Sequence, residues 1–155
     1  MRKRIVHTPR LNEPSIDWLP LQQIASIELT SEEASRSIED ALLYNSVMGW
    51  RAALPGEQTV RLIFDSPQLL TRIWLLFIER EIERSQEFVL RWSDDEGKTF
   101  QEIVRQQWNF SPQGSTQEAE DYQVELLGVT HLELKIVPDK NGMNGYASLA
   151  QLRVA

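Results

Sequence analysis

The chain has 155 residues, a formal net charge of −7 and no cysteine. The lack of cysteine excludes disulfides, thiolate metal sites and cysteine nucleophiles. The negative charge disfavours nonspecific binding to nucleic acid or to anionic membranes, which depends on Lys and Arg. The length suits a single domain with a sizeable core.

The first 20 residues contain three prolines. We interpret residues 1–20 as an arm that packs on the surface of a domain formed by residues 21–155. Ile16, Trp18 and Leu19 are the side chains expected to hold this arm. The basic start of the chain is not followed by the apolar run of a secretion signal, and no stretch is long enough to cross a bilayer. We therefore expect a cytoplasmic protein that makes no membrane contact.

A strand and then a helix are predicted at the beginning of the domain. Residues 21–29 form the predicted strand. Thr30 and Glu33 have the spacing of a helix capping box. Apolar residues then recur at helical spacing, namely Ala34, Ile38 and Leu42. These signals predict one short helix over residues 31–43.

The remainder of the chain has the two-residue period of β-strands. Val60, Leu62 and Phe64 form one apolar face, and Pro67 is predicted to end that strand. Residues 94–97, of sequence DDEG, indicate a hairpin turn. The other predicted strands cover residues 70–79, 87–93, 99–105 with an extension to 110, 122–127, 132–137 and 148–154. Many short strands after one early helix favour an all-β sandwich or jelly roll.

Three segments, in this order, resemble the discoidin-like superfamily, which includes coagulation factor C-domains and galactose-binding-like domains. The first is Ala25-Ser26 with the irregular region that ends at Gly49-Trp50. The second is residues 88–100, FVLRWSDDEGKTF, which resemble the family's strand, hairpin turn and closing aromatic. The third joins residues 131–136, across a Gly/Asn loop, to the final strand at 147–154.

This resemblance implies an eight-stranded jelly-roll β-sandwich whose loops bind a ligand at one end, commonly a sugar. In the family, a glutamate of the last strand often ligates a structural calcium ion, but Gln151 stands at this place. The glycine-containing turn that helps to build the calcium site is replaced by Ile38-Glu39-Asp40-Ala41-Leu42. Because calcium prefers several carboxylate and carbonyl oxygens, these departures disfavour calcium, and we predict no cofactor.

A second, shorter resemblance concerns Trp50-Arg51-Ala52-Ala53, followed by Gly56-Glu57 and Thr59. This region is similar to the amino-terminal domain of the single-strand-break repair scaffold. That resemblance implies the same jelly roll with protein partners and damaged DNA as ligands. The net negative charge makes a nucleic-acid partner the less favoured part of this interpretation.

The candidate ligand-binding residues are Tyr146, Asn144, Asn141, Arg51 and Trp108. The resemblance implies that an aromatic at the place of Tyr146 stacks on a sugar, while the two amides can bond hydroxyl groups. The alternative is that Tyr146 packs on the edge of the sandwich. For Trp108 the alternative is core packing, since Trp108 and Phe110 share one face of a strand.

Trp50 is expected to be a core residue, which leaves Arg51 to contact a ligand.

No catalytic constellation is recognised in the sequence. Asp94 and Asp95 suit a hairpin turn, and His7 and His131 have no metal-site spacing. The alternation of glutamates with arginines is typical of a solvated strand end, and it involves Glu79, Glu81 and Glu83. The sequence therefore predicts a non-catalytic binding module with a carbohydrate or protein partner. The first hypothesis is a carbohydrate-binding module, and the alternative is an intracellular protein–protein interaction domain.

Overall fold

The computed structural model describes residues 1–3, 13–43 and 49–155. Two short helices and eight strands occur in these ranges. The helices are α1 (Leu21–Ile24) and α2 (Ile38–Leu42). The strands are β1 (Ala25–Leu29), β2 (Trp50–Arg51), β3 (Gln58–Ile78), β4 (Arg84–Ser93), β5 (Gln101–Phe110), β6 (Gln117–Val137), β7 (Ser148–Leu149) and β8 (Gln151–Val154).

The fold is organised by β3 and β6, two strands of 21 residues each that pair antiparallel along most of their length. Their register shifts between Ile63 and Arg72, so each strand contributes to two layers. In the first layer the order is β1-β3-β6-β4-β5. In the second layer β8 joins the distal half of β3, which pairs with the proximal half of β6.

The two layers bury a common core, as expected for a β-sandwich. Phe77 of the second layer stacks on Phe88 of the first, with ring centroids 5.2 Å apart. The alternating residues Val60, Leu62 and Phe64 all point into this core. Burial of each such side chain contributes about 1.5–3 kcal/mol. The predicted all-β sandwich is therefore confirmed.

Several boundaries differ from the prediction. Pro67 does not end a strand, because β3 continues through it. Pro67 lies in the interval between the paired residues Ile63 and Gln68, where the register shifts, so its missing N–H breaks no regular ladder. Similarly, β6 begins at Gln117, five residues before the predicted strand 122–127, because Gln117 pairs with Ile78 at the end of β3.

The predicted helix over residues 31–43 is wrong for its first half. Thr30 does not cap a helix, since its hydroxyl donates to Gln58 Oε1 at 2.6 Å. The Glu33 N–H donates to the Arg51 carbonyl at 2.9 Å. Only α2 is helical, and the Glu32 carboxylate accepts a hydrogen bond from the Ile38 N–H at its start, at 2.9 Å. The predicted first strand is also shorter, because residues 21–24 form α1.

The described residues of the N-terminal arm lie along β8. The Leu19 N–H donates to the Val154 carbonyl at 2.8 Å. Trp18 is 8% exposed and packs with Trp74, Leu76 and Ala150 in a small apolar cluster. A division of the chain at residue 20 stays a prediction. In the described ranges, every helix is too short or too polar to cross a membrane.

Candidate functional site

Strands β2 and β7 bring together two segments that are distant in sequence. Trp50 pairs with Leu149, and Arg51 pairs with Ser148. The Ala52 N–H extends this contact by donating to the Ala147 carbonyl at 2.9 Å. Since successive side chains of a strand point to opposite faces, an inward Trp50 leaves Arg51 on the outer side.

Trp50 is the core residue that the sequence predicted. It is fully buried, and its indole N–H donates to the Ser31 carbonyl at 3.0 Å. The indole therefore ties the loop that begins at Ser31 to the base of the site.

Arg51 and Tyr146, two of the predicted site residues, are in direct contact. The Arg51 guanidinium carbon lies 4.8 Å from the centroid of the Tyr146 ring, a cation–π distance. Arg51 Nη1 also donates to Glu33 Oε1 at 3.0 Å. With 41% of its side chain exposed, Arg51 still presents donor atoms to solvent. The pair forms a fixed, polar and aromatic surface.

This pair lines a groove with a volume of about 320 Å³. The other wall comes from the end of β3 and the residues that follow it. Three arginines and two glutamates are among the lining residues, which are Arg36, Arg51, Ile78, Glu79, Arg80, Glu81, Tyr146, Ser148 and Ala150. The sequence analysis missed Glu79, Arg80 and Glu81 because their alternating charges are typical of a solvated strand end. It missed Arg36 because this residue lies within the predicted helix 31–43.

Glu79 is held in the groove wall by a buried arginine. Arg84 Nε donates to Glu79 Oε1 at 2.7 Å, and the Arg84 side chain is fully buried. Arg84 Nη1 also donates to the Pro138 carbonyl at 2.8 Å, and the guanidinium lies 4.7 Å from the centroid of the Phe110 ring. The negative charge of Glu79 is therefore compensated from inside the protein.

A buried carboxyl group lies near this arginine. Glu118 is fully buried, and its Oε1 accepts a hydrogen bond from Gln86 Nε2 at 3.2 Å. Burial raises the pKa of Glu118 to about 8, with a further contribution from the neighbouring carboxylate of Glu120. Arg84 acts in the opposite direction but does not cancel the effect of burial. The group is thus largely protonated near neutral pH.

A second polar cluster lies on the outer face of the first layer. Glu133 is 1% exposed and accepts hydrogen bonds from Arg61 Nη2 at 2.5 Å and from Arg91 Nε at 2.9 Å. Burial raises the pKa of Glu133, but the two arginines outweigh this effect and lower it overall. The guanidinium carbons of Arg61 and Arg91 lie 5.3 and 4.8 Å from the centroid of the Phe100 ring. This cluster fixes the hairpin that carries Phe100.

Asn141 and Asn144 lie on an exposed loop and do not line the groove. The loop is anchored at its start, where the Lys140 N–H donates to the Ser85 carbonyl at 2.8 Å and the Asn141 N–H donates to Asp139 Oδ1 at 3.0 Å. The structure thus places both amides outside the lining of the groove that contains Tyr146, and a ligand contact by either amide stays a prediction.

Trp108 lies away from the groove formed by Arg51 and Tyr146. It is half-buried and packs against the main core. Its indole N–H donates to Ser115 Oγ at 3.0 Å. Phe110, on the same strand face, is fully buried. This arrangement corresponds to the core-packing alternative for the two aromatics.

The Asp94–Gly97 turn has the structural role that the sequence indicated. Asp95 accepts hydrogen bonds from the Ser93 hydroxyl at 2.6 Å and from the Thr99 N–H at 2.9 Å. These hydrogen bonds, that from Ser93 first, lower the pKa of Asp95. His131 contacts Thr130 and the edge of Phe100, and His7 lies outside the described residues. The described part of the chain contains no group of three or more His, Asp or Glu side chains placed to hold a metal.

The residues at the place of the family's calcium site do not fit calcium. Gln151 Oε1 accepts a hydrogen bond from the Trp74 indole at 2.9 Å. The carbonyl oxygens of Ala41 and Leu43 accept hydrogen bonds from Arg153 Nη1 and Nη2, at 2.6 and 2.5 Å. Gln151 and the end of α2 thus already have hydrogen-bond partners within the protein, and a guanidinium supplies the positive charge beside these two carbonyls.

Comparison with known proteins gives the fold. No family model matches the sequence, and no curated protein matches it. Solved structures do match. A pectin-binding carbohydrate-binding module is 18% identical and has a TM-score of 0.60, covering 85% of this chain and 90% of its own.

Two further solved structures are similar in the same way. The family 32 carbohydrate-binding module of NanJ from C. perfringens, in complex with galactose, is 14% identical with a TM-score of 0.64, covering 88% of this chain and 96% of its own. Chitosan-binding module 1 of a chitosanase/glucanase from Paenibacillus sp. IK-5 is 16% identical with a TM-score of 0.59, covering 84% and 94%. The chain therefore has the β-sandwich fold of these modules, and the predicted galactose-binding-like fold is confirmed.

Proposed function

We propose that this chain is a non-catalytic carbohydrate-binding module, and that a saccharide binds in the groove beside Arg51 and Tyr146. The observation that carries the proposal is the contact between these two side chains at 4.8 Å in the wall of a groove of about 320 Å³. The pectin-binding, galactose-bound and chitosan-binding modules that share the fold support a saccharide as the ligand class.

The groove offers the two kinds of contact that sugars need. The Tyr146 ring supplies an apolar surface for sugar C–H groups, and the guanidinium of Arg51 and the hydroxyl of Ser148 supply polar partners for sugar hydroxyls. The groove volume is near the lower end of the roughly 300–1,000 Å³ that is typical of small-molecule sites. We infer that it holds a mono- or disaccharide unit.

The carboxylates of the groove suit binding better than hydrolysis. A glycosidase needs two carboxyl groups that act as acid and as base or nucleophile. Glu79 instead accepts hydrogen bonds from buried Arg84 and from the Glu81 N–H. Both carboxylate oxygens of Glu79 are therefore engaged in hydrogen bonds within the protein.

Calorimetric titration with galactose, with pectin fragments and with chitosan fragments tests the proposal. We expect at least one of them to bind, and Tyr146→Ala to weaken its affinity by roughly tenfold or more. Arg105→Ala is the matched control, because Arg105 is an exposed, ion-paired arginine that does not line the groove. Binding that survives both Tyr146→Ala and Arg51→Ala would place the ligand elsewhere and contradict this site.

The protein-interaction alternative receives less support from the residues on which it was based. Trp50 and Ala52 are fully buried, so much of that short similarity concerns core packing and not an exposed binding surface. A cytoplasmic location stays a prediction, which fractionation of cells that express the natural protein would test.

A further inference from the structure

We propose that the groove prefers acidic saccharides, whose rings carry a carboxylate, over neutral ones. This proposal rests on the proposed function, because it names the class of saccharide that the same groove binds. It is carried by the concentration of arginine in one groove of a protein whose net charge is −7.

The charges around the groove favour an anion. Of the two glutamates in its wall, Glu79 is compensated by the buried Arg84 at 2.7 Å. Glu33 compensates Arg51 in part, through a 3.0 Å contact to one nitrogen. The other charged side chains that line the described groove are Glu81, Arg80 and Arg36, and Arg36 donates from Nε to the Gly49 carbonyl at 3.0 Å. Two positive charges of the groove wall thus accompany one negative charge.

The arginines are placed to recognise a planar carboxylate. The guanidinium carbon of Arg51 lies over the Tyr146 ring, and the bond to Glu33 engages one nitrogen of a group that carries five N–H donors. An arginine fork pairs with a carboxylate through two parallel hydrogen bonds. Arg80 is exposed on the opposite wall, directly after β3, and adds a second positive charge.

The test compares galactose with galacturonate, which differ only in the oxidation state of the sixth carbon. We expect galacturonate to bind about tenfold tighter at low salt, and the difference to shrink as salt screens the charges. Arg80→Ala is expected to lower the affinity for galacturonate several-fold more than the affinity for galactose. Arg105→Ala removes an equal charge outside the groove and is expected to change neither affinity.

The outcomes separate this proposal from the proposed function. If galactose binds as tightly as galacturonate, or tighter, the acidic preference is refuted and the saccharide-binding function stands. The preference is also refuted if Arg80→Ala weakens both sugars equally. If neither sugar binds, and pectin and chitosan fragments fail as well, the proposed function itself is refuted.

A different observation carries a second inference. We infer that the Arg153 guanidinium takes the structural role that calcium has in the resembled superfamily. Arg153 lies on the last strand, and its nitrogens bind the carbonyls of Ala41 and Leu43 at the end of α2. Its Nε lies 2.7 Å from a carboxylate oxygen of Glu13, and the Arg153 side chain is 3% exposed. Arg153 Nη1 also donates to the Leu152 carbonyl at 3.0 Å, so one carboxylate and three carbonyl oxygens surround a built-in cation.

Thermal unfolding in calcium chloride and in a calcium chelator tests this inference on the unmodified protein. We expect the same midpoint in both, whereas a midpoint that is several degrees higher in calcium would overturn the inference. Arg153→Met is expected to lower the midpoint by roughly 5 °C or more, and Arg105→Met is the matched surface control. If Arg153→Met does not fold, the comparison of the unmodified protein in calcium and in chelator decides the inference. An unchanged midpoint in Arg153→Met would refute it.

Discussion

Glutamine in place of Glu118 is expected to stabilise the protein, and the gain should grow as the pH rises. Glu118 is fully buried, and burial raises its pKa to about 8 from an ordinary value of 4.5. A carboxyl group whose pKa is raised by folding contributes its full stability below the unfolded pKa. That stability is lost as the pH rises through the folded pKa. Glutamine has nearly the same shape and no proton to lose.

The size of the stabilisation follows from the pH interval between the ordinary pKa of 4.5 and the raised pKa of about 8. Between the two pKa values, the free energy of unfolding falls by at most ~1.4 kcal/mol for each pH unit. The opposing effect of Arg84 is already included in the raised pKa of about 8. We therefore expect Glu118→Gln to add up to ~4 kcal/mol near pH 7.5, and almost nothing near pH 4.5.

Thermal unfolding followed by circular dichroism between about pH 4.5 and about pH 8 measures this difference. A gain of that size raises the midpoint by several degrees, at ~2–4 °C per kcal/mol for a chain of this length. Glu125→Gln is the matched control, since Glu125 is exposed on the same strand. Parallel midpoint curves for Glu118→Gln and the unmodified protein would refute the reasoning.

Three further substitutions test other parts of the structure. Glu133→Gln should destabilise the protein by ~1–3 kcal/mol at neutral pH, since its two arginine partners lose their counter-charge. Because the pKa of Glu133 is lowered, urea titrations should show this loss shrinking as the pH falls; an equal loss at acid pH would contradict it. Gly49→Ala should lower the unfolding midpoint far more than Gly128→Ala. Both glycines have φ of 69°, but a Cβ on Gly49 would collide with the Leu149 carbonyl oxygen, whereas a Cβ on Gly128 would meet no atom within 4 Å. Equal midpoints for the two variants would show that the collision is relieved. Trp50→Phe should cost roughly 1–3 kcal/mol in a urea titration by removing the hydrogen bond to Ser31, and an unchanged stability would show that this bond contributes nothing.

The strands that the sequence predicted well are those with a clear apolar face. Val60, Leu62 and Phe64 alternate because one side of β3 is buried along its first half. The errors occur where pairing overrides local preference. Pro67 looks like a strand end, but a change of register absorbs its missing N–H. Thr30 looks like a helix cap, but its hydroxyl finds a partner on β3, which no local pattern reveals.

The candidate site was only partly predictable for a related reason. Arg51 and Tyr146 were each proposed as ligand contacts, but their stacking depends on the pairing of β2 with β7. Glu79 and Arg84 look alike in sequence as members of a charged run. The structure exposes Glu79 in the groove wall and buries Arg84 completely. Charge alternation alone does not show which member of such a run is buried.

The rigidity of the groove derives from the core beneath it. β2 has only two residues, so the burial of Trp50 determines where Arg51 can lie. On the other side, Ala147 and Leu149 are fully buried and fix the segment that carries Tyr146. Because buried neighbours determine the positions of Arg51 and Tyr146, the surface that they form exists before a ligand binds. Binding then requires less ordering of side chains. Asn141 and Asn144 are exposed and do not line the groove, which is why the groove and not their loop is the stronger candidate for a preformed site.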